Sequence, residues 1–379
     1  MALFPNSLHE KLSSRKKTNS LRTLEVHQSG VDFFSNDYLG FAKNETIAQR
    51  TLEILSSQTH VLGSTGSRLI SGTHDLHLRV EQMISEYHFS QAALLFNSGY
   101  DANLGLFSSI LQKGDIVLYD ELIHASVRDG IRLGTAKAYK FKHNDCQDIE
   151  SKIVRFKERA NTIYLAIESV YSMDGDTAPI RQIAEICERY QVRLIVDEAH
   201  STGVFGEKGR GLVCELNLEQ YIFARVHTFG KAMGCHGAVV LGSSELRTYL
   251  INFSRAFIYT TAISLHSVAN IMAAYEVLAH DNAFLKFKEN VTYFKSTLIK
   301  LNLEKSFIHS DSAIQCCVIP GNYNVKEKAN FLQNKKFSIK PILSPTVPEG
   351  AERLRICLHA FNSKLEIQAL ISNIKLCMN

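Results

Sequence analysis

Between residues 92 and 242 the chain repeats one pattern: a short apolar run, then a longer segment with helical spacing. The runs are AALLF (92–96), DIVLYD (115–120), TIYLAIES (162–169), RLIVD (193–197), ARVHTF (224–229) and GAVVLG (237–242). Each is short and rich in Val, Ile, Leu or Ala, which marks a buried strand. Between two of them lies APIRQIAEICERYQ, where Pro179 suits a first helical turn and Ile180, Ile183, Ala184 and Cys187 share one face. Strands alternating with helices predict an α/β fold, a mostly parallel sheet with helices on both faces. One connection departs from that rule. Only eight residues, Phe229 to His236, separate Thr228 from Gly237, and a parallel crossover with its helix needs about a dozen or more. GAVVLG is therefore expected to run antiparallel to its neighbours.

Around this region three parts are expected. Residues 1–45 form a polar, helix-prone N-terminal segment ending in VDFFSNDYLGF; 46–264 form a large α/β domain; 265–379 form a small C-terminal α+β domain. The last part opens on the helical stretch HSVANIMAAYEVLAHD and carries strands near SAIQCCVI (312–319) and RLRICL (353–358), with the Pro-rich PILSPTVPEGAE between them reading as a loop. The 379 residues are 45% hydrophobic and 21% charged, an ordinary globular balance. Net charge is +4 and scattered, and the short run Arg15-Lys16-Lys17 reads as a solvated face, so no nucleic-acid partner is expected. No stretch of about 18 apolar residues predicts a membrane span, and MALFPNSLHEKLSSRKK lacks the apolar core of a signal peptide. Eight cysteines without a CxxC, several inside apolar runs, fit reduced buried thiols in a cytoplasmic protein.

In open α/β sheets, ligands gather beyond the carboxyl ends of the strands. AALLF is followed by Asn97-Ser98-Gly99-Tyr100, a small polar turn opening a helix, whose N–H groups suit an anion. DIVLYD is followed by His124; TIYLAIES by Ser172 and Asp174-Gly175-Asp176; RLIV by Asp197 and His200; ARVHTF by Lys231, with Thr228 and Gly230 just before it. Five consecutive strand ends deliver polar groups to one rim. Each residue also has a plain alternative: Asp197 a helix cap, His124 a core histidine, Ser172 and Gly99 turn formers, Lys231 a surface lysine. The surroundings of Lys231, HTFGKAMGCHG, are apolar and glycine-rich, and partial desolvation there favours the neutral, nucleophilic amine.

The stretch IVDEAHSTG spells a helicase box in one reading. That reading needs a GxxxxGK[ST] loop, and here the glycine–lysine pair precedes Ala232. No GxGxxG opens a helix after a strand, and no compact metal-ligand spacing occurs. The set that remains suits pyridoxal 5'-phosphate (PLP), which needs a lysine to hold it, an acid for its ring nitrogen and an anion site for its phosphate. Lys231, Asp197 and Ser98-Gly99-Tyr100 can supply these. A non-catalytic binder that kept the fold is the contrasting possibility.

The motifs SNDYLG (35–40), GSTGSRLISG (63–72), FNSGYDAN (96–103), DELIHAS (120–126), ESVYSMDGD (168–176), VDEAHSTGVFGEKGRG (196–211), HTFGKAMG (227–234) and PTVPEGAERLRI (345–356) together resemble the α-oxoamine synthases, fold-type I PLP enzymes. The resemblance implies a homodimeric PLP-dependent acyltransferase. It implies that Lys231 carries the cofactor and moves protons, Asp197 pairs with the ring nitrogen, and His124 stacks on the ring. It places His200 and Ser172 near the ring hydroxyl, and Thr228 with Ser98, Gly99 and Tyr100 at the phosphate. Thr260 or Thr261 would reach the phosphate of a partner subunit. Arg355 would grip the substrate carboxylate, a bidentate match, and Arg22 and Thr346 would contact the acyl substrate. Within the family the motifs look most like the branch of biotin synthesis that joins L-alanine to a pimeloyl thioester, on coenzyme A or acyl carrier protein, with loss of carbon dioxide. The alternative is a relative using glycine, or a long-chain acyl thioester.

Overall fold

The computed structural model describes residues 4–24, 30–58 and 62–378; residues 1–3 and 25–29 of the expected N-terminal segment lie outside them. By contact the chain divides into two units, one of Asn36–Ser172 with Thr177–Phe287, the other of Met1–Ser35, Met173–Asp176 and Lys288–Asn379. The second unit thus gathers both ends of the chain and a four-residue excursion, where a linear reading divides at 45/46 and 264/265.

The larger unit holds the alternating region. Its strands are β2 (Ala92–Phe96), β3 (Ile116–Asp120), β4 (Lys137–Phe141), β5 (Ile163–Glu168), β6 (Arg193–Asp197), β7 (Ile222–Thr228) and β8 (Ala238–Gly242), in the order β2-β8-β7-β6-β5-β3-β4. Pairings are parallel except that β8 runs antiparallel to both β7 and β2, as its short connection requires. The strand β4, KAYKF, was not among the expected runs. It is a sheet edge with Lys137 and Lys140 exposed, so it lacks the apolar continuity of a central strand, and its lysines discourage edge-to-edge pairing.

Side chains alternate faces along a strand. One face of the sheet carries Leu94, Phe96, Val117, Ala166, Ile195, Val226 and Val240, buried against Leu106 and Phe107 of the helix Gly99–Ile110 and Val127 of the helix Ala125–Leu133. The other face carries Leu95, Leu118, Leu165, Ile167, Leu194, Val196 and Leu241, all 2% exposed or less. Burial on both faces explains why these strands read as continuous apolar runs. The same parity puts Glu168, Asp197 and Thr228 on the face of Ala166, Ile195 and Val226. They sit at the strands' carboxyl ends, with Thr228 close to Gly99 and Asp197 bonded to Asn103 of the helix Gly99–Ile110.

In the smaller unit, β9 (Ile314–Val318), β12 (Arg353–Cys357) and β11 (Lys340–Ile342) form an antiparallel sheet in the order β11-β12-β9. The strand β11 includes Pro341 and Ile342, so the segment read as a loop begins as a strand. Pro341 is tolerated because β11 is an edge strand. A second, two-stranded sheet pairs β1 (Val31–Asp32) with β10 (Phe337–Ser338) in parallel. All eight cysteines are unbridged, and burial raises the Cys187, Cys316 and Cys317 thiols to about 12. No described helix is long and apolar enough to cross a membrane.

Candidate active site

The rim of the large sheet gathers its polar side chains into two hydrogen-bonded chains. The first runs through Lys231. After β7 the backbone folds into a tight loop, with Gly234 N–H donating to the Lys231 carbonyl and Cys235 N–H to that of Phe229. Phe229, Ala232 and Met233 are buried, each 1% exposed or less, which fixes the loop and leaves Lys231 half-buried. Its Nζ lies 2.8 Å from His200 Nε2. The other ring nitrogen of His200, Nδ1, lies 2.7 Å from the Tyr38 hydroxyl, and Tyr38 donates to Asn36 Oδ1 at 3.1 Å.

The second chain runs through Asp197. Its Oδ1 accepts the Ala199 N–H at 2.9 Å, and its Oδ2 accepts the Asn103 amide at 2.7 Å. Asn103 also donates to Ser126 Oγ at 3.0 Å, and Ser126 Oγ lies 2.8 Å from His124 Nδ1. The buried carboxylate is thus held by neutral donors. No helix starts at Asp197, so the capping role gives way to a turn contact with Ala199. His124 does cap a helix: its Nδ1 accepts the Ser126 N–H. Its side chain is exposed rather than a core imidazole. Desolvation by the chain around it lowers its pKa, outweighing the opposing pull of Asp197 and adding to the push of Lys231. A neutral imidazole accepting at Nδ1 carries its proton on Nε2.

Ser98 caps the helix Gly99–Ile110, its Oγ accepting the Asp101 N–H at 3.1 Å and donating to Asp101 Oδ2 at 2.8 Å. The first N–H groups of such a helix have no acceptor within it. A Cβ at Gly99 would collide with Thr228 Oγ1, so backbone and hydroxyl close on one small space. Tyr100 points to Asp129, its hydroxyl donating at 2.7 Å. Asn97 Nδ2 donates to Thr260 Oγ1 at 3.1 Å and to the Thr261 carbonyl at 2.9 Å, which fixes both threonines beside the Ser98 turn of their own chain.

One carboxyl at this rim was counted in its strand and given no role. Glu168 ends β5 in register with Asp197, is 3% exposed, and its Oε1 has no hydrogen-bond partner. The backbone N–H groups of His124 and Ser172 favour its charged form, which places Ser172 near this carboxyl. Burial first, then the Asp197 charge, push its pKa up to about 8. Asn103 and Ser126 were also passed over. Asn103 falls one turn after Gly99, and i, i+4 spacing is a legible sign that the two share a face.

The remaining expected residues belong to the smaller unit. Arg22 Nη2 donates to Thr346 Oγ1 at 3.1 Å, so those two come together at an exposed position. Arg355 lies on β12 in register with Cys316, and its Nη1 donates to Cys357 Sγ at 3.0 Å.

Residues 28–374 match the family aminotransferase class I and II. An 8-amino-7-oxononanoate synthase from Emericella nidulans is 40% identical over 97% of this chain and 94% of its own length. Among solved structures, a serine palmitoyltransferase with PLP is 25% identical, with a TM-score of 0.88 over 98% of this chain and 96% of that one. An 8-amino-7-oxononanoate synthase from Francisella tularensis is 26% identical, with a TM-score of 0.76 over 92% and 97%.

Proposed function

The chain belongs to the aminotransferase class I and II family, as an α-oxoamine synthase of fold type I and a PLP-dependent acyltransferase, and from that premise we propose that it condenses L-alanine with a pimeloyl thioester to give 8-amino-7-oxononanoate and carbon dioxide. The observation that carries the reading is one rim holding a half-buried lysine and a buried carboxylate with only neutral donors, beside an anion cradle. The residues fit the cofactor. A carboxylate held by neutral groups can take a protonated ring nitrogen as its cation. The space that a Cβ at Gly99 would fill, against Thr228 Oγ1 at the N-terminus of the helix Gly99–Ile110, suits a phosphate.

In this reading Lys231 holds the cofactor. Asp197 keeps the ring nitrogen protonated, and His124 lies against the ring. His200 and Ser172 serve the ring hydroxyl. Ser98, Gly99, Tyr100 and Thr228 hold the phosphate, and Thr260 or Thr261 completes it in a cytoplasmic homodimer, from a partner subunit or from the chain whose Asn97 holds both beside the Ser98 turn. When bound, the cofactor supplies an electron sink for charge developing at the amino-acid Cα. The Lys231 amine takes the Cα proton and returns it after carbon dioxide leaves. Arg355 grips the amino-acid carboxylate, and Arg22 and Thr346 face the acyl chain.

The identity to the Emericella nidulans enzyme over nearly both full lengths supports alanine and pimeloyl as substrates. The second reading, a long-chain acyl enzyme, draws on the likeness to serine palmitoyltransferase. A substrate panel separates them: alanine, serine and glycine crossed with acetyl, pimeloyl and palmitoyl thioesters on coenzyme A and on acyl carrier protein. Release of carbon dioxide with alanine and pimeloyl alone is expected. Turnover of serine with palmitoyl, and none with alanine, overturns the first reading.

A further inference from the structure

The motif SNDYLG contains a side chain to which nothing above assigns a role. Tyr38 is wholly buried (0% exposed), and its hydroxyl stands between Asn36 Oδ1 at 3.1 Å and His200 Nδ1 at 2.7 Å. A phenol has one proton, and an amide oxygen can only accept. The bond to Asn36 uses that proton, so the short contact to His200 must have the imidazole as donor. His200 then carries its proton on Nδ1, and its bare Nε2 faces Lys231 Nζ at 2.8 Å.

The segment bearing Tyr38 is fixed to the loop bearing Lys231. Gly234 has φ +63°, and a Cβ there would clash with the backbone of Phe41 and Ala42. A side chain is thus disfavoured twice over, by conformation and by space. Tyr38 and Lys231 therefore hold their spacing through backbone contact.

We propose that Tyr38 is a positioning residue that holds His200 as its Nδ1–H tautomer, so that Nε2 stands ready to receive a proton from Lys231 Nζ. When that proton moves, the imidazolium keeps its Nδ1–H bonded to the Tyr38 oxygen, and the lysine is left as the neutral amine. The inference rests on Lys231 being the cofactor lysine. Tyr38 acts through His200, as a carboxylate acts when it fixes the tautomer of a catalytic histidine.

The test is the tautomer itself, read by long-range proton–nitrogen correlation in ¹⁵N-histidine holoenzyme, with His200 assigned from the spectrum of His200→Asn. The wild type is expected to show Nδ1–H. Tyr38→Phe should lose the preference and lower kcat by roughly tenfold or more, with KM for the amino acid within about twofold. Asn36→Ala keeps the tyrosine but frees its proton to turn toward His200, so the tautomer should flip to Nε2–H. This second variant keeps the test sharp if Tyr38→Phe fails to fold. An Nε2–H wild type, or an Asn36→Ala protein that stays Nδ1–H, overturns the proposal. Borohydride labelling of the same samples separates the two readings. Label absent from Lys231 defeats the cofactor reading and leaves the tautomer result standing, whereas label on Lys231 with the wrong tautomer defeats only the role of Tyr38.

Discussion

Glu168 and Asp197 end adjacent parallel strands in register, two carboxyl groups side by side on one face of the sheet, 3% and 7% exposed. They are held differently. Asp197 has an amide and a backbone N–H on its two oxygens, while Glu168 keeps one oxygen without a partner. Two neighbouring buried carboxyls resist ionising together. Glu168 is the one that keeps its proton, with a pKa of about 8 against an ordinary value of 4.5.

A stability test follows from that raised pKa. Below about 4.5 the folded and unfolded chains both carry the Glu168 proton. As pH rises toward 8 the unfolded chain has lost it and the folded chain has not, so stability falls across that window and then levels. Glu168→Gln has no proton to lose. Its Tm should exceed that of the wild type by a margin that grows from pH 4.5 to 8, measured by calorimetry. Parallel Tm curves would show that Glu168 is already ionised.

His77 gives the opposite sign. Burial first, then Arg68, hold its pKa at about 4, and its Nε2 lies 3.0 Å from the Ile263 carbonyl. As pH falls from about 6.5 to 4 the unfolded chain gains a proton that the folded chain refuses, so stability falls. His77→Gln should flatten the acid limb of a Tm–pH curve over that range. Buried His88, lowered to about 3, leaves a residual slope. An unchanged limb would mean that His77 protonates in place.

The strand parity that brings Asp197 to the site makes its charge testable. Asp197→Asn keeps the shape and one acceptor oxygen, which can still take the Ala199 N–H, and puts an NH2 group in place of the oxygen that faces the Asn103 amide; PLP should still bind. Turnover should fall about a hundredfold or more, the scale at which proton placement matters. Near-normal turnover would remove Asp197 from the ring nitrogen.

At the other end of the site, Gly99→Ala adds one methyl against Thr228 Oγ1. PLP affinity should fall about tenfold, equivalent to about 1.4 kcal/mol, as read by fluorescence titration of the apoprotein. Unchanged affinity would place the phosphate elsewhere.

Much of this was legible in the sequence. The apolar runs named six strands of the large sheet because both faces are buried, and the eight-residue connection told the direction of β8. The edge strand β4 escaped because its lysines break that signal, and β11 because prolines there read as loop. At the site, the polar residues that close or follow an apolar run were visible, with one exception. Lys231, His200 and Asp197 stood out as polar groups after apolar runs, whereas Glu168 hid as the last letter of TIYLAIES. Tyr38, Asn103 and Ser126 act through partners 162, 94 and 23 residues distant. No local pattern announces such pairings; only the folded chain supplies them.

Chemical trapping asks most directly whether Lys231 holds the cofactor. The protein is loaded with PLP, reduced with borohydride, digested and mapped by mass spectrometry. The account predicts one pyridoxyl group per chain, on the peptide containing Lys231, and none in Lys231→Ala. A label on a different lysine, or one that survives that substitution, would contradict it.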